Sequence, residues 1–241
     1  MSIPSSCNSC SVFKNSLFKD FDDTHVSWLA DKKQPHILSK KELLFSQGEN
    51  VKGIYCHLQG LAKVEQKNAS GDIQFTRLVL PGDTSGHRSI FVEKEYKGTA
   101  SVISDSLSAC FISKMDVLNL LSNNPSLAKN LIIRISGELN RSEREVISVK
   151  EQNVRNRLAF LLFNLANEYA DVINHSQLMI KTEITKKDIA NLLMVANETI
   201  IRLMSDMKNE GLIHYHGKQI VIEDMDKLKQ ISCVVDVYPK V

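Results

Sequence analysis

The chain changes its hydrophobic rhythm near residue 124, and that change constrains the fold more than any single motif does. Residues 36–112 run as short β-rich stretches cut by turn signals such as Gly48-Glu49-Asn50, Gln59-Gly60, Pro81-Gly82-Asp83 and Lys97-Gly98. Many short strands at near-regular spacing predict a small barrel or jelly roll. Pro125 then opens a helical stretch in which Ile132, Ile135, Leu139, Ser142, Val146 and Val149 recur at alternating intervals of three and four. This is a coiled-coil seam with one polar member, and a lone helix of this type pairs with its copy in a second subunit. Glu143, Arg144 and Glu145 would flank the seam. The fold class is therefore α+β, in four segments. Residues 1–16 read as a flexible arm bearing Cys7 and Cys10, and residues 17–124 as a β-barrel domain with an amphipathic helix over 18–29. Residues 125–153 form the dimerisation helix, and residues 154–241 form a winged-helix domain that opens with a helix over 157–169.

The last segment carries the most specific chemistry. Thr185 is an N-cap with Asp188 at the capping-box position, and it starts a helix whose apolar face is Ile189, Leu192 and Leu193. Asn197 is placed as the N-cap of a second helix, which turns Ile200, Leu203 and Met204 inward. Glu198 and Arg202, at i and i+4, then stand on the opposite side. Such a spacing alone is usually a plain surface ion pair. Its setting is a helix-turn-helix, followed after Gly211 by two β-rich runs, 212–215 and 219–222, split by His216-Gly217-Lys218. That order makes a winged helix, whose outward helix can enter a major groove. There Arg202 can donate two bonds to guanine O6 and N7, and Glu198 can accept from a cytosine amino group.

Composition narrows the function classes. A chain of 241 residues that is 43% hydrophobic can bury one large core or two modest ones. No apolar run approaches a membrane span and the N-terminus lacks signal-peptide order, so a soluble, cytoplasmic protein without membrane partners is expected. No nucleophile–base constellation or P-loop is placed by the sequence, so no enzyme is expected. The net charge is only +2, and from residue 155 onward eleven Lys and Arg meet eleven Asp and Glu. Binding to DNA would thus rest on fixed contacts more than on bulk charge. The rival function is a redox-, metal- or ligand-binding module whose winged helix contacts protein.

The order barrel, seam helix, winged helix resembles the family of the catabolite activator protein and the fumarate-nitrate regulator, over nearly the whole chain. The stretches that carry the resemblance are Leu44-Phe45-Ser46-Gln47-Gly48-Glu49, Ile54-Tyr55-Cys56-His57-Leu58-Gln59-Gly60, Leu80-Pro81-Gly82-Asp83, Gly86-His87-Arg88-Ser89-Ile90-Phe91 and Asn197-Glu198-Thr199-Ile200-Ile201-Arg202. The resemblance implies a homodimeric transcription regulator acting on double-stranded DNA, with RNA polymerase as a further partner. It places Glu198 and Arg202 on the base-reading pair, Thr199 on a phosphate-contacting position, and Lys186 and Lys187 at the head of the first helix, where side chains reach the DNA backbone or a base edge. Asn197, next to Glu198, is a further candidate DNA-binding residue. An inverted-repeat operator follows from two-fold symmetry. Met194 stands in the turn where the family often has Gly, and Ile201 where the oxygen-responsive branch often has Ser.

The resemblance also implies a signal-sensing site in the barrel. Cyclic-nucleotide members hold the phosphate with an Arg-Ser pair and the ribose with a Glu; here those positions read Lys97, Gly98 and His87. Losing the guanidinium and hydroxyl argues against cAMP. An effector pocket for another ligand would draw on Gly86, His87, Arg88, Lys97 and Thr99, with Ser142 and Glu143 from the seam helix. These features place the chain nearer the fumarate-nitrate branch, whose iron–sulfur cluster uses three arm cysteines and one on a barrel strand. Cys7, Cys10 and Cys110 fall on three of these positions, Ser16 on the missing one, and Cys56 offers a fourth thiol. The alternatives are a redox dithiol, a zinc site with Cys110 and His57, or inert buried thiols. Cys233 belongs to none of these schemes.

Overall fold

The structure, a computed structural model, describes residues 3–92, 94–151, 153–174, 177–181 and 184–232, with side chains at all of these but 141, 144–151 and 168. Val146, Val149, Arg144 and Glu145 of the seam, and Cys233, therefore lie outside the described side chains. The chain forms two compact units, Met1–Ser142 and Glu143–Val241.

The first unit begins with a short 3-10 turn, Phe13–Asn15, and α1 (Asp23–Lys32). The expected helix over 18–29 is shifted, because the Asp22 carboxylate accepts the backbone N–H of His25 and caps the helix there. Phe18 and Phe21 precede the helix and pack edge to face at 5.2 Å, a favoured aromatic geometry. Within the arm Cys7 is buried in the main core, as are Leu17 and Phe18 just after it.

Eight strands follow: β1 (Gln34–Ser39), β2 (Leu43–Phe45), β3 (Gly53–Gln59), β4 (Ala62–Lys67), β5 (Ile73–Val79), β6 (Thr84–Ser85), β7 (Thr99–Val102) and β8 (Ser106–Ser113), with α2 (His87–Val92) between β6 and β7. They form two four-stranded sheets, ordered β1-β8-β3-β6 and β2-β7-β4-β5, whose described strand pairs are all antiparallel. Alternating inward residues, among them Ile54, Phe75, Ala100, Leu107 and Ile112, fill the space between them as a jelly-roll core. Then α3 (Lys114–Asn123), capped by Ser113, leads into α4 (Pro125–Glu151). Leu127 and Leu131 bury the start of α4 against this core. Ile132 and Leu139 are 65% and 58% exposed, so the seam stands outward in the single chain.

The second unit contains α5 (Val154–Glu168), α6 (Lys186–Leu192), α7 (Asn197–Asn209) and α8 (Met225–Ile231) around a sheet ordered β11-β12-β10-β9. Its strands are β9 (Ala170–Val172), β10 (Leu178–Ile180), β11 (Ile213–His216) and β12 (Gln219–Ile222). The hairpin β11–β12 turns at Gly217, whose φ of +60° suits a residue without a Cβ. Among the described residues no helix is long and apolar enough to cross a membrane.

Candidate functional site

The pair α6–α7 is built by caps and a tight turn. The Thr185 hydroxyl accepts the N–H of Asp188 at 3.0 Å and donates to its carboxylate at 2.6 Å, a side-chain N-cap steadied by the third helical residue. Asn197 is not the cap of α7. Ala196 occupies that position without a side-chain bond, and Asn197 is the first helical residue with its Oδ1 buried and unpartnered. Between the helices Met194 adopts φ +54°, the left-handed conformation that glycine accepts freely. The turn is enforced by its surroundings: Val195 N–H donates to the Ala190 carbonyl at 3.0 Å, and Arg157 Nη1 on α5 donates to the Leu193 carbonyl at 3.0 Å. At its other end α7 stops in a Schellman motif, with Gly211 N–H to Lys208 O at 3.0 Å and Leu212 N–H to Met207 O at 2.9 Å.

On α7, Ile200, Met204 and Met207 are fully buried, whereas Leu203 is only half-buried; Met207 is the inward position that periodicity alone passed over. Glu198 and Arg202 are both exposed and form no ion pair with each other. The plain surface-pair reading is thus not realised, and both head groups stay available. Thr199 is half-buried near the start of α7, while Lys186 and Lys187 are exposed at the start of α6. Lys186 Nζ lies 5.4 Å above the Tyr215 ring of β11, a cation–π contact that ties the helix to the wing. The end of α7 is fixed by Arg155, which gives Glu210 two bonds of 2.7 and 2.5 Å, the bidentate geometry that a guanidinium favours.

In the barrel, the structure brings four of the cysteines together. Cys56 on β3 and Cys110 on β8 are directly opposed across an antiparallel pair, so their side chains share a face. Cys7 and Cys10 of the arm complete the lining of a chamber of about 40 Å³, with Phe18 and Lys33 beside them. Burial pushes the Cys56 thiol up to about 12 and the Cys110 thiol up to about 11, Lys33 offsetting part of the latter, as desolvation disfavours a thiolate. Burial also raises Cys7. Four soft donors suit a thiophilic metal in kind and number. Their spacing does not form a metal site here, because among the described residues no three His, Cys, Asp or Glu side chains are gathered tightly enough to hold an ion. A single water needs roughly 10–15 Å³ of such space, so the chamber is sized for a few waters. A zinc site with His57 is excluded. Neighbours on a strand face opposite ways, and His57 is buried with its Nε2 2.8 Å from Ser85 Oγ.

The expected effector pocket does not assemble. Gly86, at φ +82°, has no room for a Cβ, which would meet the Gly53 carbonyl at 2.9 Å. His87 and Arg88 turn to Glu138 of α4. Lys97 lines a separate surface hollow with Gln47, Lys94 and Glu95, and Thr99 Oγ1 is engaged by the Gln47 N–H at 3.0 Å. Ser142 and Glu143 are exposed further along α4; Glu138, one turn before Ser142, takes the inward role expected of them.

The model of cyclic nucleotide-binding domains matches residues 35–124, and that of Crp-like helix-turn-helix domains matches residues 156–231. The two spans stand in the order found above and take in more than half of the chain. The chain belongs to the CRP/FNR family. Over 226 residues, 92% of each chain, it is 28% identical to the regulatory protein HlyX of Actinobacillus pleuropneumoniae. It is 26% identical to the fumarate and nitrate reduction regulatory protein of Escherichia coli K12, covering 94% of this chain and 90% of that one. The solved structure of FixK2 from Bradyrhizobium japonicum shares the fold with a TM-score of 0.73 at 19% identity, over 84% of this chain and 98% of that one. This CRP/FNR member is accordingly a transcription regulator with a helix-turn-helix DNA-binding domain, and its relatives are regulators and not enzymes.

Proposed function

We propose that this CRP/FNR regulator acts in the cytoplasm as a homodimer that reads an inverted-repeat operator and answers a signal received at the thiol chamber of its barrel. The reading rests on one observation above the others: Glu198 and Arg202 are exposed and unengaged on a helix whose opposite face is fully buried. Arg202 reads a guanine in each half-site and Glu198 its cytosine partner. Thr199, Asn197, Lys186 and Lys187 hold the sugar–phosphate backbone. The outward Ile132, Ile135 and Leu139 of α4 support pairing with a second copy, which would cover them. RNA polymerase is the partner through which such a dimer would act on transcription. The test is a mobility-shift series on an inverted-repeat library. Wild type should select one half-site class, and Arg202→Ala should lose that selectivity; identical weak binding by both proteins would refute the assignment.

For the signal, the gathering of Cys7, Cys10, Cys56 and Cys110 supports a thiolate-bound iron–sulfur cluster, Cys56 standing in for the thiol missing at Ser16. Loading requires deprotonation of thiols that burial raises, and a shift of the arm to enlarge the chamber. Protein purified anaerobically from iron-replete cells should be coloured and contain iron and sulfide. Cys56→Ser should bleach it as thoroughly as Cys110→Ser does. Colourless, metal-free wild type would overturn the cluster while leaving the operator assignment standing.

A further inference from the structure

Glu138 reaches from the first half of α4 into the most basic cluster of the barrel unit. Its Oε1 accepts from Arg77 Nη1 of β5 at 2.5 Å, and its Oε2 lies 3.2 Å from His87 Nε2 and 3.3 Å from Arg88 Nε. Arg134, one turn earlier on α4, has its Nε 3.8 Å from Glu138 Oε1 and pairs through Nη2 with Asp83. Arg77 also donates to the Thr84 carbonyl at 2.8 Å. Three guanidiniums thus face two carboxylates, so the cluster is one positive charge in excess even with His87 neutral. Arg77 Nε, His87 Nδ1 and His57 Nδ1 are buried without a hydrogen-bond partner. Arg88 is half-exposed, so the excess charge is partly solvated; the buried cost lies in the orphaned Arg77 Nε and His87 Nδ1, which packing alone would not retain around one carboxylate. Convergent guanidiniums and an imidazole around two oxygens make the arrangement of an anion site with its anion in place.

We propose that Glu138 is a tethered anionic ligand: it fills, from within the chain, an anion site built by Arg77, Arg88, Arg134 and His87, and thereby latches the first half of α4 onto the barrel. The family model over residues 35–124 describes barrels that take an anionic nucleotide from solution. Here the carboxylate arrives on the helix itself. A tethered group has a local concentration that free anions do not match, so the intact protein is closed to small oxyanions. Such a latch depends on neither the thiol chamber nor the operator assignment.

Chemical rescue tests it, using full-length wild type and Glu138→Ala with inorganic phosphate or acetate against chloride at equal ionic strength. Glu138→Ala should gain thermal stability saturably with either oxyanion, at a half-saturating concentration at least about tenfold below any effect on wild type. Hydrogen exchange in the first half of α4 should be faster in the variant and stay fast when acetate is added, because free acetate refills the site without tying down the helix. An oxyanion response equal to wild type's would overturn the site, and exchange restored by acetate would overturn the latch. Should Glu138→Ala not fold, Glu138→Ser, which also vacates the site, takes its place, and its response must likewise exceed that of wild type.

Discussion

The two compact units treat charge in opposite ways. In the barrel unit the strongest electrostatic groups are inside and engaged: Glu138 is bound by Arg77, His87 and Arg88, and Arg134 is paired with Asp83. In the winged-helix unit the proposed base-reading pair is outside and unengaged, with Glu198 and Arg202 presented on a helix that is otherwise anchored from beneath. Buried pairs carry stability and hold positions, since breaking one leaves its partner charge stranded. Exposed ones cost the fold little and keep their bonding capacity for a ligand. A regulator needs both kinds, in separate places.

The sharpest way to break this comparison is to remove one group of each kind. Glu138→Ala should lower unfolding stability by about 3 kcal/mol, as for one member of a buried ionic network. Arg202→Ala should change stability by less than about 0.5 kcal/mol but cost about 1–3 kcal/mol of operator discrimination. Denaturant titration and competition binding on both variants would show the contrast. Equal stability losses would erase the distinction drawn between the units.

Acid should find the barrel first. Burial opposes ionisation of Glu138, but the His87 hydrogen bond and the Arg77 and Arg88 guanidiniums outweigh it and hold the carboxyl at about 2, against an ordinary 4.5, as opposite charges favour the ionised form. Its stabilisation is complete above 4.5 and is lost as pH falls toward 2. Burial holds His57 down to about 3, against an ordinary 6.5. Between those values the unfolded chain binds a proton that the folded chain refuses. Stability therefore falls as pH drops from 6.5, at up to about 1.4 kcal/mol per pH unit. His57→Gln should make that upper limb shallower and leave the lower one, with His87, which burial also lowers, supplying the remainder, as read by thermal unfolding across pH. A limb unchanged in His57→Gln would place its origin elsewhere.

The smallest effect belongs to the turn between α6 and α7. Met194 is 74% exposed at φ +54°. Met194→Gly should therefore relieve strain and raise stability by about 1 kcal/mol, with operator binding preserved. Thermal unfolding of the variant checks this. A loss of stability would mean that the exposed side chain contributes more than its backbone costs.

The architecture was legible because periodicity reports on it directly. The strand-rich run, the helix opened at Pro125 and the Thr185 cap each stand in short stretches whose local physics suffices. The outward pair on α7 was legible for the same reason. Strands β9 and β10, three residues each, were too short to show alternation. The Glu138 cluster was hidden by distance along the chain: Arg77 and Glu138 are 61 residues apart, and a glutamate within a long helix reads as a solvated face. One signal was present, Arg134 and Glu138 at i and i+4 close to Leu127 and Leu131, on a stretch of α4 that is partly buried. The cap of α7 failed because Asn197 satisfies composition, whereas the backbone turns one residue earlier at Ala196.

The pairing of β1 with β8 has a consequence for how the molecule comes into being. Gln34 is matched with Phe111 and Pro35 with Cys110, so a strand made early waits for one made more than seventy residues later. Contacts of such long reach form slowly, because the intervening chain must be closed before they are rewarded. The winged-helix unit relies on nearer partners, such as β11 with β12, and should mature sooner after its own synthesis. Cys110 lies on the late strand, so the chamber it helps to wall exists only once the barrel has closed. Whatever fills that chamber is therefore enclosed only at the end of folding, and the finished chamber cannot serve as the nucleus around which the barrel is assembled.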